Sequence, residues 1–255
     1  MGQRVGSPVP FQLGVVEAIR SAVLNEERTL NIALPQGYHP DSAARYPVIY
    51  LLDGGADEDF IHVTGALQFA AFAWVAWQPP SIVVGIASTD RKRDLTFPTT
   101  IAADKEQFPT TGGSGAFMRF IGEEVIPFVE ANYRTGGERM LIGQSLGGLF
   151  AAEVLIKRPE LFTRYLIVSP SLWWDDGSLL KVPAAFLSDP AKAPTEVYIA
   201  VGKEGRRMGG DAERLHALVK KSPKIRSGAS HLPKHDHANS LHQAVIDGFR
   251  WMGGK

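Results

Sequence analysis

Residues 139–150 read RMLIGQSLGGLF, and residues 143–147 (GQSLG) form a Gly-x-Ser-x-Gly motif around Ser145. A short apolar stretch, residues 140–143, precedes the serine, and apolar residues recur at helical spacing from 146 to 154. A sharp strand-to-helix turn exposes a serine hydroxyl, and its tight backbone requires glycine on both sides. The stretch therefore predicts a nucleophile elbow, with Ser145 as a catalytic nucleophile.

Other short apolar runs are rich in β-branched residues, as in buried parallel strands, and they alternate with amphipathic helical patterns. The strand-like runs are 47–52, 81–87, 140–143, 165–169 and 197–202, and the helical patterns include 117–128, 146–154 and 241–252. Residues 30–34 alternate and end at Pro35, which indicates an edge strand near the start. This alternation predicts an α/β-hydrolase fold, a mostly parallel central sheet with helices on both faces, in a single domain over 1–255.

Two further segments bear on the site. Residues 88–114 are polar, contain Pro98, Pro109 and a Gly-Gly pair, and are expected to form the longest loop, on the active-site side. Residues 61–80 are rich in Ala, Phe and Trp, but polar residues interrupt the run. They predict a buried or lid helix and no membrane span.

Composition excludes several classes of function. Lys+Arg and Asp+Glu both number 27, so no net charge attracts nucleic acid or a membrane surface, and neither is an expected partner. The chain has no cysteine, which removes disulfides, thiolate catalysis and cysteine zinc sites. This fits the cytoplasm and is also compatible with a periplasm. The first ten residues contain no apolar signal-peptide core, so we expect no signal peptide.

The catalytic base should lie on a loop before the final helix, because an α/β-hydrolase places its nucleophile, acid and histidine in that order. His216 and His242 fall within helical patterns, whereas His235 and His237 lie just before the last helix. We expect His237 to be the base, because the helix can begin directly after it. The His231, His235 and His237 group lacks a further ligand at metal spacing, so we expect no metal and no cofactor.

The acid that orients the histidine should follow the strand at 197–202, which makes Glu204 the first candidate. Asp211, and Asp175 or Asp176 after the preceding strand, are the alternatives. An exposed loop glutamate without a catalytic role is the other interpretation of Glu204.

An oxyanion hole needs two backbone N–H groups aimed at the developing negative charge. Leu146 supplies the first, because it follows the nucleophile at a helix N-terminus. Gly55 is the expected second donor, in the Asp-Gly-Gly loop after the strand that ends at Leu52. Alternatively, the glycine pair only turns the chain.

Two groups of side chains are candidates for substrate binding. Trp173 and Trp174 follow a strand and are expected at the rim of the site, where they could stack on an aromatic ring, although one could instead belong to the core. Arg91 and Arg93, with Lys92 between them, could hold a carboxylate or catecholate. The alternative is a solvated run that pairs with Asp90 and Asp94.

Five stretches together resemble the putative-esterase family of α/β-hydrolases. They are YPVIYLLDGG (46–55), IVVGIASTDRKRDLT (82–96), IGQSLGGLFA (142–151), SPSLWWDDG (169–177) and AVGKEG (200–205). The family includes esterase D, feruloyl esterases, mycolyltransferase relatives and esterases that open catecholate siderophore trilactones, and the chain is most similar to this last group. The resemblance implies Ser145 as nucleophile and His237 as base. Some of these siderophore esterases use a Ser–His dyad, so the acid stays open.

Together these features predict a serine carboxylic-ester hydrolase that works through an acyl-enzyme on a small-molecule ester, whether short-chain, aryl or siderophore-type. An acyltransferase on the same scaffold is one alternative, because an alcohol can replace water in deacylation. A catalytically silent α/β-hydrolase that only binds ligands is the other. A peptidase is disfavoured, because no cap or propeller sequence is present to select peptides.

Overall fold

The structure is a computed structural model that describes residues 2, 3 and 5–255, and in this part of the chain eight strands form one sheet. The strands are β1 (Val15–Ser21), β2 (Glu26–Ala33), β3 (Tyr46–Leu52), β4 (Ile82–Ile86), β5 (Thr135–Gln144), β6 (Arg164–Val168), β7 (Glu196–Gly202) and β8 (Arg226–Leu232). Their order is β1-β2-β4-β3-β5-β6-β7-β8. Strand β2 runs against β1 and β4, whereas β3 to β8 are mutually parallel.

The central strands are apolar because both of their faces are covered. Every residue of β4 is buried, and in β3 the side chains of Tyr50 and Leu52 enter one core while Ile49 and Leu51 enter the other. This alternation is the two-residue period of a strand, applied to a sheet with a hydrophobic layer on each side. The predicted mostly parallel α/β-hydrolase sheet is confirmed.

Helices complete a layer on each face of the sheet. The helices are α1 (Phe60–Ala70), α2 (Arg91–Leu95), α3 (Ala102–Gln107), α4 (Ser114–Phe120), α5 (Ile126–Asn132), α6 (Leu146–Lys157), α7 (Ala185–Ser188), α8 (Gly205–Val219) and α9 (Ser240–Met252). One π-helical turn, Ile121–Val125, joins α4 to α5, and 3₁₀ turns lie at Pro159–Leu161, Trp174–Lys181 and Pro190–Lys192. Apolar side chains of α1 and α9 share one core, and those of α4, α6 and α8 share the other.

The structure corrects three sequence predictions about elements. Residues 30–33 belong to β2, which is not an edge strand, because β1 pairs along its outer side. The segment 88–114 is not one loop, because it contains α2 and α3, and Asp90 caps α2 by accepting a hydrogen bond from Arg93 N at 3.1 Å. The helix predicted within 61–80 ends at Ala70. Among the described residues, no helix combines the length and the apolarity that a membrane crossing needs.

The topology brings the loops that carry the candidate site residues to one edge of the sheet. Because β3 to β8 are parallel, the residues that follow Leu52, Gln144, Val168 and Gly202 emerge at the same edge. In open α/β sheets, functional groups collect at this carboxyl edge.

Candidate active site

Ser145 occupies a tight turn between β5 and α6. Its φ of 60° and ψ of −118° fall in a sparsely populated region for a residue with a side chain. A Cβ at Gly143 would overlap the carbonyl group of Gly147, so the turn requires glycine there. The Ser145 N–H donates to the Val168 carbonyl at 3.1 Å, and the Ser145 carbonyl accepts from Leu149 N at 2.9 Å. These bonds hold the backbone of the predicted elbow in place.

His237 meets Ser145 from the loop before α9. Its Nε2 lies 2.9 Å from Ser145 Oγ, within reach for proton transfer, and 45% of its side chain is exposed. His235, the other candidate base, contributes a backbone contact, because its carbonyl accepts a hydrogen bond from Lys203 N at 2.6 Å. The structure therefore brings His237, and not His235, to the serine hydroxyl.

Glu204 lies on the far side of the imidazole ring. Its Oε2 is 2.6 Å from His237 Nδ1, while its Oε1 accepts hydrogen bonds from the Ser169 hydroxyl and, at 3.1 Å, from Gly202 N. Only 3% of the Glu204 side chain is exposed, so it is not a solvated loop glutamate.

The alternative acids are engaged elsewhere. Asp211 pairs with Arg214 within α8, and Asp176 pairs with Arg207 at 3.4 Å. Asp175 accepts hydrogen bonds from Thr99 and Thr100. The three aspartates therefore bond to nearby arginines and threonines rather than to His237.

Glu204 and His237 shift each other's pKa. Burial alone would raise the pKa of Glu204, but hydrogen bonds from His237 and Ser169 outweigh it and hold the pKa below its ordinary value. The hydrogen bond that His237 Nδ1 donates to Glu204 raises the pKa of His237 above its ordinary value, against a lowering by desolvation. Glu204 thus remains ionised at neutral pH, where its negative charge would favour a protonated His237 ring.

The two expected oxyanion donors differ in their surroundings. Leu146 is the first residue of α6, where backbone N–H groups have no acceptor within the helix. The Gly55 N–H, in contrast, donates to Glu58 Oε2 at 2.6 Å, and Ser88 N lies 3.3 Å from the same oxygen. A turn that joins Glu58 N to the Gly55 carbonyl brings the carboxylate back onto this amide. The Glu58 carboxylate therefore already accepts the hydrogen bond of Gly55 N–H, the second predicted oxyanion donor.

The arginines of the predicted substrate site bind carboxylates of the protein. Arg91 forms two hydrogen bonds to Asp53, at 2.6 and 2.8 Å, and its Nη2 lies 3.4 Å from the carbonyl of Gln144. It therefore ties the loop after β3 to the elbow. Arg93 is held by Asp94 at 2.7 Å and by Glu26 at 2.6 Å. Two carboxylates therefore pair with the Arg93 guanidinium, and its role in substrate binding stays a prediction.

The adjacent tryptophans have different environments. Trp174 is fully buried, and its indole N–H donates to the Phe97 carbonyl at 2.9 Å. Its assignment to the substrate pocket is wrong, because the ring fills the core. Trp173 is partly exposed on the loop after β6, with its carbonyl 3.2 Å from Arg207 Nη2 and its ring centroid 6.4 Å from that of Phe108. Its role as a rim residue stays a prediction.

Sequence reasoning missed the hydroxyl groups that surround the site. Ser171 Oγ lies 3.4 Å from Ser145 Oγ, and Ser171 N donates to the Ser145 carbonyl at 3.0 Å. Ser169 and Ser171 belong to the SPS sequence that follows β6, so their position at the carboxyl edge was the available signal. Across the described residues, no three His, Cys, Asp or Glu side chains come together in a way that could hold a metal ion.

Comparisons of the sequence with known proteins find esterases. The family model described as putative esterase matches residues 21–243. Ferri-bacillibactin esterase BesA of Bacillus subtilis is 32% identical over 236 residues, which cover 83% of this chain and 79% of BesA.

Two solved structures superpose well on the chain. An IroE-like serine hydrolase from Shewanella oneidensis has 30% identity and a TM-score of 0.81, over 93% of this chain and 79% of the other. The BES protein from Bacillus cereus has 27% identity and a TM-score of 0.84, over 98% of both chains.

Proposed function

The chain belongs to the putative esterase family, and we propose that Ser145, His237 and Glu204 perform its ester hydrolysis as nucleophile, base and orienting acid. One observation carries this proposal: His237 Nε2 lies 2.9 Å from Ser145 Oγ while His237 Nδ1 lies 2.6 Å from Glu204 Oε2. That is the spacing of a nucleophile, a base and a third group that orients the base.

In the first half of the reaction, Ser145 Oγ attacks the ester carbonyl carbon while His237 Nε2 takes the hydroxyl proton. The tetrahedral intermediate collapses, the bond to the alcohol oxygen breaks, and His237 returns the proton to the departing alcohol. Water then attacks the acyl-enzyme with His237 again as base, which releases the acid and restores Ser145. Glu204 stays ionised throughout and holds the Nδ1 proton of the ring.

We assign siderophore-type esters, together with short-chain and aryl esters, as the substrates. The support comes from BesA, which is named for its action on ferri-bacillibactin and is 32% identical to this chain over 236 residues. The partly exposed Trp173 on the loop after β6 offers an aromatic surface for an aryl group.

A panel of esters tests this substrate assignment. It contains a catecholate trilactone, an aryl ester and p-nitrophenyl esters from acetate to palmitate, each assayed beside Ser145→Ala. We expect the trilactone, aryl and short-chain esters to give the highest kcat/KM. Each buried methylene is worth about 0.8 kcal/mol, so a lipase-type pocket would raise kcat/KM severalfold per added carbon. Such a rise up to palmitate would contradict the assignment.

Removal of the Glu58 carboxylate is expected to increase activity. If Gly55 N–H is the second oxyanion donor, the substrate carbonyl must displace the Glu58 oxygen that now lies 2.6 Å away. We expect Glu58→Ala to raise kcat/KM for a neutral short-chain ester by roughly fivefold, as for the loss of one competing hydrogen bond. Asp57→Ala is the matched control, because it removes a neighbouring exposed carboxylate and should leave kcat/KM unchanged. An unchanged or lower kcat/KM in Glu58→Ala, at normal thermal stability, would exclude Gly55 as the donor.

A further inference from the structure

Gln144, the residue before the nucleophile, reaches the histidine loop with its side chain. Its Nε2 lies 2.6 Å from the backbone carbonyl of His237 and 3.3 Å from the hydroxyl of Ser240, the first residue of α9. A primary amide nitrogen carries two hydrogens, so it can donate to both oxygens at once. One side chain therefore connects the end of β5 to the loop and helix that carry His237.

The contacts continue from Ser240 to the acid. Ser240 Oγ lies 3.1 Å from Ser169 Oγ, and the Ser169 hydroxyl hydrogen-bonds Glu204 Oε1. Both serines are fully buried, so their hydroxyl groups depend on these partners rather than on bulk water.

The donor of each bond follows from what each group can do. An ionised carboxylate only accepts, so Ser169 donates to Glu204. The hydrogen of Ser169 is then committed, and its oxygen accepts from the hydroxyl of Ser240. The oxygen of Ser240 in turn accepts from Gln144 Nε2. All the donors in the row from Gln144 to Glu204 therefore point toward the carboxylate, and such aligned bonds strengthen one another.

We propose that Gln144 is a positioning residue of the catalytic site. It fixes the backbone of His237 and begins the donor row, through Ser240 and Ser169, that stabilises the Glu204 carboxylate. This inference rests on the proposed roles of His237 and Glu204. Its chemistry is specific to a primary amide of this length, because a glutamate would turn an acceptor oxygen toward the His237 carbonyl. A methionine would fill the same space and leave the His237 carbonyl and the Ser240 hydroxyl without their donor.

The test compares kcat and KM for Gln144→Met, Gln144→Glu, Ser240→Ala and the double variant Gln144→Met/Ser240→Ala. We expect both Gln144 variants to lower kcat about tenfold to hundredfold, as for a small misplacement of a catalytic group. KM should change by less than about twofold, because no substrate contact is lost. Ser240→Ala, which keeps the bond to the His237 carbonyl, should lose less. The double variant should lose no more than Gln144→Met alone, because both changes interrupt one row.

Two controls make the outcomes decisive. Gln243→Met makes the same chemical change on α9, where the amide donates to Asp247 at 2.8 Å, and should leave kcat unchanged. Ser145→Ala in the same assay tests the proposed function separately: an active Ser145→Ala overturns that function whatever Gln144 does. An inactive Ser145→Ala together with unchanged kcat in a folded Gln144→Met overturns only the positioning role.

Should Gln144→Met fail to fold, Ser240→Ala decides in its place, because unchanged kcat in that variant excludes the donor row. If the losses of kcat from Gln144→Met and Ser240→Ala add in the double variant, the donor row is likewise excluded.

Discussion

Ser145→Ala and His237→Ala are each expected to lower ester turnover by about four to six decades. Without the hydroxyl no acyl-enzyme forms, and without the imidazole the hydroxyl keeps its proton. The two losses should be nearly equal, because the serine and the histidine act as a unit at a separation of 2.9 Å. Steady-state kinetics with p-nitrophenyl acetate measure both.

The matched control for the base is His235→Ala, two residues away on the same loop. Its backbone carbonyl holds Lys203 N at 2.6 Å, and that contact survives the side-chain change. We expect His235→Ala to retain turnover within a fewfold of the unmodified enzyme. A loss as large as that of His237→Ala would show that the base has been assigned to the wrong histidine.

The second large effect concerns Glu204. Glu204→Gln should lower kcat by up to about 10⁴, because an amide at this position no longer stabilises the imidazolium or fixes the ring tautomer. The side chain is nearly isosteric, so the thermal stability of the fold should change little. A loss of less than about tenfold, at normal stability, would instead indicate a Ser–His dyad.

The pH profile of Glu204→Gln gives a second readout. The hydrogen bond that His237 Nδ1 donates to the Glu204 carboxylate is the main cause that raises the pKa of His237 above its ordinary value. His237 must be neutral to act as base, so kcat/KM of the unmodified enzyme should fall as the pH drops through a value above about 6.5. Without the carboxylate the pKa of His237 falls, and this acid limb should move to lower pH. A limb that stays in place would mean that Glu204 does not set the titration of the base.

Much of the fold and the core of the site could be predicted, because both depend on signals that are local in the chain. Strand-like runs and the Gly-x-Ser-x-Gly turn lie within short segments, and the order of Ser145, Glu204 and His237 can be read directly along the chain. Strands β1 and β8 lacked such a signal. Both lie at sheet edges and carry polar or exposed residues, so their pairing depends on neighbours that the sequence does not place beside them.

The surroundings of the substrate-binding candidates could not be predicted, because residues distant in the sequence determine them. Arg93 is neutralised in part by Glu26, which lies 67 residues away along the chain, so no local pattern could reveal the pair. Trp173 and Trp174 are neighbours in sequence, yet only Trp174 is enclosed by the core. The contact of Gln144 with His237 spans 93 residues and was invisible for the same reason.

The most direct test of the account is covalent labelling with a fluorophosphonate probe, followed by mass spectrometry of the peptide that contains Ser145. A serine hydrolase of this geometry should gain one phosphonyl group on Ser145. Labelling should disappear in Ser145→Ala and should slow strongly in His237→Ala, while His235→Ala is labelled at the normal rate. Equal labelling of Ser145→Ala, or ester turnover by an enzyme that the probe does not label at Ser145, would contradict the assignment of the nucleophile.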